Sequence, residues 1–325
     1  MIKYIGKRLL MMIPVLLGVV LVVFSMMYFS PGRAADYMLG DMATEEDKLA
    51  FEEQNGLNRP FLVQYVDYVW DVLHGDLGTS YSNKRPVLDE ILARFPNTLM
   101  LCFVSMVIAT VVGVTLGIIS ATKQYTLWDN LARVGSIVGI SMPSFWEGMM
   151  LILLFSVGLG WLPPSGFTSW KCWILPAVTI STVPCATIMR MTRSSMLEAI
   201  RQDYVRTARA KGQSERVVIW KHALRNALIP VMTVIGLNFG RLLGGIAICE
   251  AVFAVPGVGK LIVDAIPITN TPLVQGGILF IAFAMSIINL ITDVLYAYVD
   301  PRIRSQYVRR KAPKKMAAVE GGESK

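Results

Sequence analysis

The chain has 325 residues, 54% of them hydrophobic and only 17% charged, with a formal net charge of +8. A soluble domain carries about 25% charged residues, so the composition implies a lipid solvent. Nucleic-acid binding is excluded, because it wants aromatics interleaved with the bases, and Tyr204 and Trp220 are the sole aromatics in the most basic loop.

The first apolar run, Leu9 to Ser30, holds 22 residues without a charge behind Lys3, Lys7 and Arg8. A signal peptide would have an apolar core of about 7–15 residues, so the run reads as a retained membrane span. Residues 31–96 form a polar insert, with 12 acids against 6 bases. Thr44-Glu45-Glu46-Asp47 is a capping box that opens a helix, and Asn55-Gly56 ends it. Phe61 to Leu73 carries apolar residues at mostly helical spacing. Pro86 to Phe95 is expected as a third short helix leading into the next span. A segment of this length makes a marginal core, so the insert should lean on the membrane part or on a partner.

Phe95 to Thr122 has no charge and holds the second span, with Gly113 and Gly117 at GxxxG spacing. The third runs near Arg133 to Gly158 and carries Glu147. The fourth, Cys172 to Met189, is short and interrupted by Pro176 and Pro184. The fifth runs near Asn226 to Ala254, with Asn238 and Arg241 in its middle and Glu250 near its end. The sixth runs near Pro272 to Val299. The N-terminal segment, Lys123 with Arg133, the loop 190–225 and the tail hold 22 Lys/Arg, against Lys171 and Lys260 in the short opposite loops. Bases collect on the cytoplasmic side, which puts both termini in the cytoplasm.

Cys102, Cys172, Cys185 and Cys249 form no CxxC pair, and His74 and His222 fall on opposite sides. Neither a disulfide framework nor a metal site is expected.

The loop before the fifth span has 9 bases against 3 acids between Arg190 and Arg225. Residues 196–211 read as helix, Gly212 interrupts, and Ser214 is a plausible N-cap for a second helix. On that second helix Val217, Trp220 or Lys221, and Leu224 share a face, and Pro230 then opens the fifth span. Composition alone leaves two readings of this knob: a grip for a soluble partner, or a basic segment lying on anionic lipid.

Several motifs resemble one family. Arg206-Thr207-Ala208, followed by Gly212, stand where permeases of ABC importers carry a Glu-Ala-Ala…Gly coupling loop, and the peptide/nickel branch shows the same departure from Glu. Gly56-Leu57-Asn58-Arg59-Pro60, Gly75-Asp76-Leu77-Gly78-Thr79-Ser80 and Arg94-Phe95-Pro96-Asn97-Thr98-Leu99 resemble the outside segment of the B-type permease subunit. Gly160-Trp161-Leu162-Pro163-Pro164-Ser165-Gly166, Glu250-Ala251-Val252-Phe253…Pro256-Gly257-Val258-Gly259 and Asp300-Pro301-Arg302-Ile303-Arg304 complete the series.

The resemblance implies an all-α permease of six membrane helices in a bacterial cytoplasmic membrane. Residues 1–30 would be the cytoplasmic N-terminus and first helix, 31–96 the extracytoplasmic insert, 97–300 the permease core with a coupling loop at 194–225, and 301–325 a basic cytoplasmic tail. The implied partners are a homologous second permease, two ATPase subunits, an extracytoplasmic substrate-binding protein and the bilayer. Coupling to the ATPase would fall on Arg206, Thr207, Ala208, Lys211, Gly212 and Glu215.

The substrate implied first is a dipeptide or oligopeptide, with nickel or a metal chelate as the alternative. A rival of another class, a transporter driven by an ion gradient, needs internal repeats and several deep carboxylates; Glu147 is the single deep one. No catalytic residue, metal or cofactor is expected on this chain. Gly257-Val258-Gly259-Lys260 imitates a phosphate loop, yet Leu261 replaces the hydroxyl that would hold magnesium and Ala254 the first glycine. ATP and magnesium are therefore expected on the ATPases. An ionisable group at mid-membrane costs roughly 2.5–3.5 kcal/mol on insertion scales, so Arg241 and Glu147 either pair with each other or, with Asn238 and Glu250, line the translocation pathway.

Overall fold

The computed structural model describes residues 2–40 and 42–299. The tail 301–325 and the motif Asp300 to Arg304 lie outside them. Helix α1 (Ile2–Tyr28) covers the first apolar run, and its Arg8 meets Asp293 near the far end of the chain at 2.8 Å.

The insert holds α2 (Ala34–Leu39), α3 (Glu45–Gln54) and α4 (Phe61–Leu73). The short α2 was not expected, since six residues are too few for a period to show. The capping box of α3 is present: the Asp47 amide donates to the Thr44 hydroxyl at 3.2 Å and the Thr44 amide to the Asp47 carboxylate at 3.1 Å. Ala34, Ala35, Phe51 and Tyr81 make a core of only a few side chains, and the insert does lean on the membrane part. Phe61 of α4 stacks edge-on against Phe24 and Tyr28 of α1, with ring centroids 5.3 and 5.1 Å apart.

Pro86 to Phe95 is not a separate helix. It is the first part of α5 (Val87–Thr122), which carries Pro96 within it. Val87 and Ile91 before the proline and Leu101 and Cys102 after it are fully buried, so packing on both sides of the proline outweighs the single amide that it removes. The third span is also not one rod. α6 (Leu127–Ser141) and α7 (Ser144–Leu151) meet at a bend of 108°. The cause is local: Met142 precedes Pro143 and is forced into an extended conformation, φ −82° and ψ 130°. Beyond α7 the chain continues as a wider π-type turn over Ile152–Gly158.

α8 (Ile174–Ile200) is longer than expected and its prolines do not interrupt it. Pro176 lies in the first turn, where amides lack intrahelical partners anyway. Pro184 is buried within the helix. Gly113 and Gly117 of α5 hold the two helices together. A Cβ at Gly113 would come within 2.8 Å of the Cys185 carbonyl, and one at Gly117 would overlap Thr192.

The chain then forms α9 (Asp203–Ala210), α10 (Glu215–Val217), a π stretch Val218–Ala223 and α11 (Leu224–Gly245). Pro230 lies inside α11 rather than opening it, and the helix ends at Gly245, before the expected Ala254. From Glu215 to Gly245 the path is one rod of 31 residues. α12 (Ala247–Val252), α13 (Val258–Ala265) and α14 (Thr271–Val299) complete the fold. Gly240 faces α14 so closely that a Cβ there would overlap Asn289, so this glycine serves packing within the chain. Among the described residues there is no strand, only an isolated bridge between Thr79 and Pro86. Five helices are long and apolar enough to cross a membrane, and the bent pair α6–α7 makes a sixth crossing if it counts as one span.

Candidate coupling surface and translocation face

The knob begins where α8 stops. The expected single helix over 196–211 is broken at Arg201 and Gln202, because Gln202 is extended, φ −73° and ψ 152°, and Asp203 starts a new first turn. An acid there is favoured by the positive end of the helix. α9 ends in a Schellman turn: the Gln213 amide bonds the Ala208 carbonyl at 3.3 Å and the Gly212 amide the Arg209 carbonyl at 2.9 Å. Gly212 has φ +73°, as its expected role as interrupter requires. Across the turn, Arg209 grips both oxygens of Glu215 at 2.6 and 3.2 Å. His222 adds a 2.7 Å bond to Gln213. Ser214 takes the N-cap position without a side-chain bond.

The face expected to join Val217, Trp220 or Lys221 and Leu224 is split, with Leu224 alone turned inward. Val205, Ala208, Val218, Ala223 and Leu224 pack on Met196 and Ala199 of α8 and on Ile118 and Ala121 of α5. Val217 and Trp220 point outward. The π stretch is the reason, since its wider turns shift the register by which side chains face inward. Of the residues expected to couple, Ala208 is buried beneath the knob, while Arg206, Thr207, Lys211, Gly212 and Glu215 are exposed. Tyr204, Arg216 and Lys221 join them on the surface, giving a basic face with three apolar or aromatic contacts.

Under the knob lies a cluster that sequence reasoning missed. Arg193 of α8 holds the fully buried Asp129 of α6 through two bonds, at 2.8 and 3.0 Å. The Ser120 hydroxyl on α5 and the Tyr125 amide donate to the same carboxylate. Three helices are fastened together just where α8 leads into the knob. Arg193 had registered only as one base in a count.

The interior charges are not paired. Glu147, in the first turn of α7, is 8% exposed and accepts from the Thr182 hydroxyl of α8 at 2.5 Å. Its second oxygen has no partner among the described residues. Arg241 is exposed one turn before the end of α11, nearer the helix end than its expected mid-span place. No carboxylate among the described residues forms an ion pair with it. Asn238, expected on the pathway, is buried and bonds the Val234 carbonyl of its own helix at 2.8 Å.

Glu250 is likewise enclosed rather than open to a passage. It is wholly buried on α12, accepting from the Thr98 hydroxyl of α5 at 2.6 Å and from the Lys260 amide at 3.0 Å. The Val258 amide donates back to Thr98 at 2.9 Å, and Asn97 donates to the Pro256 carbonyl at 2.9 Å. The segment that imitates a phosphate loop thus turns the first amides of α13 onto a carboxylate of the same chain. Gly257 and Gly259 have no side chains because a Cβ at either would overlap Glu250 or Ala247. Two sequence motifs, Arg94 to Leu99 and Glu250 to Gly259, meet here as one latch. A third pairing joins Asn270 to Ser80 at 2.9 Å and to the Tyr81 amide at 3.2 Å.

Residues 113–305 match the model of the binding-protein-dependent transport system inner membrane component, and residues 1–102 match that family's N-terminal model. A dipeptide transport system permease protein from Alkalihalophilus pseudofirmus is 42% identical, over 94% of this chain and 100% of its own length. A glutathione transport system permease protein from Salmonella typhimurium is 43% identical, covering 94% of this chain and 99% of the relative. A di/tripeptide transport system permease protein from Pseudomonas aeruginosa is 41% identical, over 94% and 100%. Among solved structures, an amino acid ABC transporter superposes with a TM-score of 0.51 at 14% identity, over 66% of this chain and 94% of that one. That last likeness concerns fold alone.

Proposed function

Because the chain belongs to the binding-protein-dependent transport system inner membrane component family, we propose that it is a permease subunit of a peptide importer, forming half of the passage for dipeptides or short oligopeptides. ATP, with magnesium, is hydrolysed on two separate ATPase subunits. A homologous permease supplies the other half, and a binding protein outside delivers the peptide. Both termini lie in the cytoplasm, on the side of the basic knob.

The knob carries this reading. Its buried side is fastened to α5 and α8, while Tyr204, Arg206, Lys211, Val217 and Trp220 remain on its outer side. A mixed basic and apolar face on a rigid, capped turn suits a groove in a soluble protein. Movement of an ATPase that grips it is passed to α8 and α11 directly through the chain. On the other side of the membrane-embedded part, Arg241 presents a guanidinium that forms no ion pair among the described residues. It faces the passage and meets the peptide carboxylate through paired hydrogen bonds.

The test is purification of the tagged chain from its native membrane, followed by reconstitution. Two ATPases bearing phosphate-loop motifs and a related permease should copurify, and the proteoliposomes should accumulate a labelled dipeptide when ATP is supplied. A chain that purifies without any ATPase would overturn the importer reading. A complete complex that ignores di- and tripeptides would overturn the substrate.

A further inference from the structure

Helix α4 belongs to the segment that sequence reasoning places outside the membrane, yet its surface does not suit water. Leu62, Val66, Trp70 and Leu73 recur at helical spacing along one side and are 61–73% exposed. Such a continuous apolar stripe requires a covering. The opposite side is polar. There Gln64, Asp67 and Asp71 line a cavity of about 540 Å³ together with Tyr68 and Gln275, and Trp70, at the edge of the apolar stripe, reaches its rim. The Tyr68 hydroxyl is buried and has no partner among the described residues, and Gln275, 5% exposed, lies on the same cavity wall.

The position of α4 says what covers the apolar stripe. It runs antiparallel to the outer half of α1. At one end Phe61 and Tyr65 pack on Phe24 and Tyr28, and at the other Val69, Val72 and Leu73 share an apolar cleft of about 440 Å³ with Ile13, Leu17 and Val20. α1 is free of charge from Leu9 to Tyr28, a rise of about 30 Å that matches the hydrocarbon core. The exposed side chains of α1, among them Ile13, Leu17 and Leu21, face acyl chains along that length. The stripe on α4 continues the same surface sideways.

We propose that α4 is a half-membrane helix that dips into the outer leaflet, with lipid acyl chains against Leu62, Val66, Trp70 and Leu73 and a water-filled vestibule behind it. Buried polar groups need hydrogen-bond partners, and the polar cavity is far larger than the about 30 Å³ that one water occupies. Asp67 and Asp71 are tolerated at this depth because they open onto that water, and Asp67 also has Arg59 at 3.1 Å. The helix is thus a thin wall, wet on one side and in lipid on the other. The inference does not depend on which solute is carried.

Nitroxide labels at single cysteines test it, in the full-length chain assembled with its partner subunits in liposomes. Val66→Cys and Leu73→Cys report the apolar side, Asp67→Cys and Asp71→Cys the polar side. The wild-type chain, whose four cysteines are buried or half-buried, sets the labelling background. Relaxation by oxygen, which concentrates in lipid, should dominate at 66 and 73, and relaxation by a water-soluble nickel chelate at 67 and 71. The preference should reverse between adjacent positions 66 and 67. Nickel-dominated relaxation at 66 and 73 would place the helix outside the bilayer and overturn the proposal. So would low values for both agents there, which would mean a protein covering, or absence of the nickel effect at 67 and 71, which would mean a dry cavity. Should a labelled variant fail to assemble, the wild-type protein still decides. The emission lost in Trp70→Phe should be quenched in vesicles of acyl-brominated lipid, and an unquenched Trp70 would refute a lipid contact.

Discussion

Arg193 and Asp129, 64 positions apart in the chain, form a two-bonded ion pair whose carboxylate is completely enclosed. The pair joins α8 to α6, and Ser120 brings in α5. Removing one partner of a buried pair costs roughly 3–5 kcal/mol, whereas replacing both with apolar residues costs far less. Asp129→Leu should therefore lower the melting temperature of the purified complex sharply, and Asp129→Leu with Arg193→Leu should recover most of the loss. A single variant that melts like the wild type would show that the pair fastens nothing.

Gly212 separates strain from crowding. No atom lies within 4 Å of a Cβ placed there, yet φ is +73°. A β-branched residue in that region costs about 1–2 kcal/mol, while asparagine tolerates it. Gly212→Val should insert into the membrane normally and lose ATP-driven uptake. Gly212→Asn should keep most of it. Equal uptake in the two variants would remove the Schellman turn from the coupling path.

Glu250 holds the start of α13 through Thr98 and the Lys260 amide. Taking the carboxylate away leaves buried donors without an acceptor, at about 1–3 kcal/mol for each. Glu250→Ala should expose the 255–260 segment to limited proteolysis and lower thermal stability, and Thr98→Val should do the same more weakly. Unchanged protease sensitivity in Glu250→Ala would mean that the latch contributes nothing.

Arg241 gives the opposite pattern. It is exposed and lacks a carboxylate among the described residues, so Arg241→Leu should leave assembly and melting unchanged. Hydrogen bonds to a charged group are worth about 1.5–3 kcal/mol, so uptake of a dipeptide with a free carboxylate should fall roughly tenfold or more. Uptake of its C-terminal amide should be far less affected. Equal loss for both peptides would remove Arg241 from carboxylate recognition.

Local chemistry made much of this fold readable. The Thr44–Asp47 box, the charge-free run of α1 and the positive φ of Gly212 each follow from a few adjacent residues. Prolines were less transparent. Pro143 breaks its helix by driving Met142 into an extended conformation, whereas Pro96, Pro184 and Pro230 sit inside helices, and their own surroundings in the sequence do not tell the two outcomes apart. The expected grouping of Leu224 with Val217 and Trp220 on one face failed because a π stretch changes the period that the reading assumed. Asp129 with Arg193, and Thr98 with Glu250, join residues 64 and 152 positions apart. No spacing rule reaches across such distances, so these pairs became visible only when the helices were in place.

The unbroken path from Glu215 to Gly245 has a mechanical consequence. Glu215, beside the knob's turn, and Arg241 ride the same rod, 26 residues or about 39 Å apart. If that rod tilts about the crowded crossing at Gly240 and Asn289, Arg241 lies almost at the fulcrum and the knob at the end of the long arm. Large sweeps of the knob then become small, forceful rotations beside Arg241. The π stretch between Val218 and Ala223 and Pro230 beyond it depart from the regular α pattern along the shaft, and their stiffness would set how much of a stroke arrives.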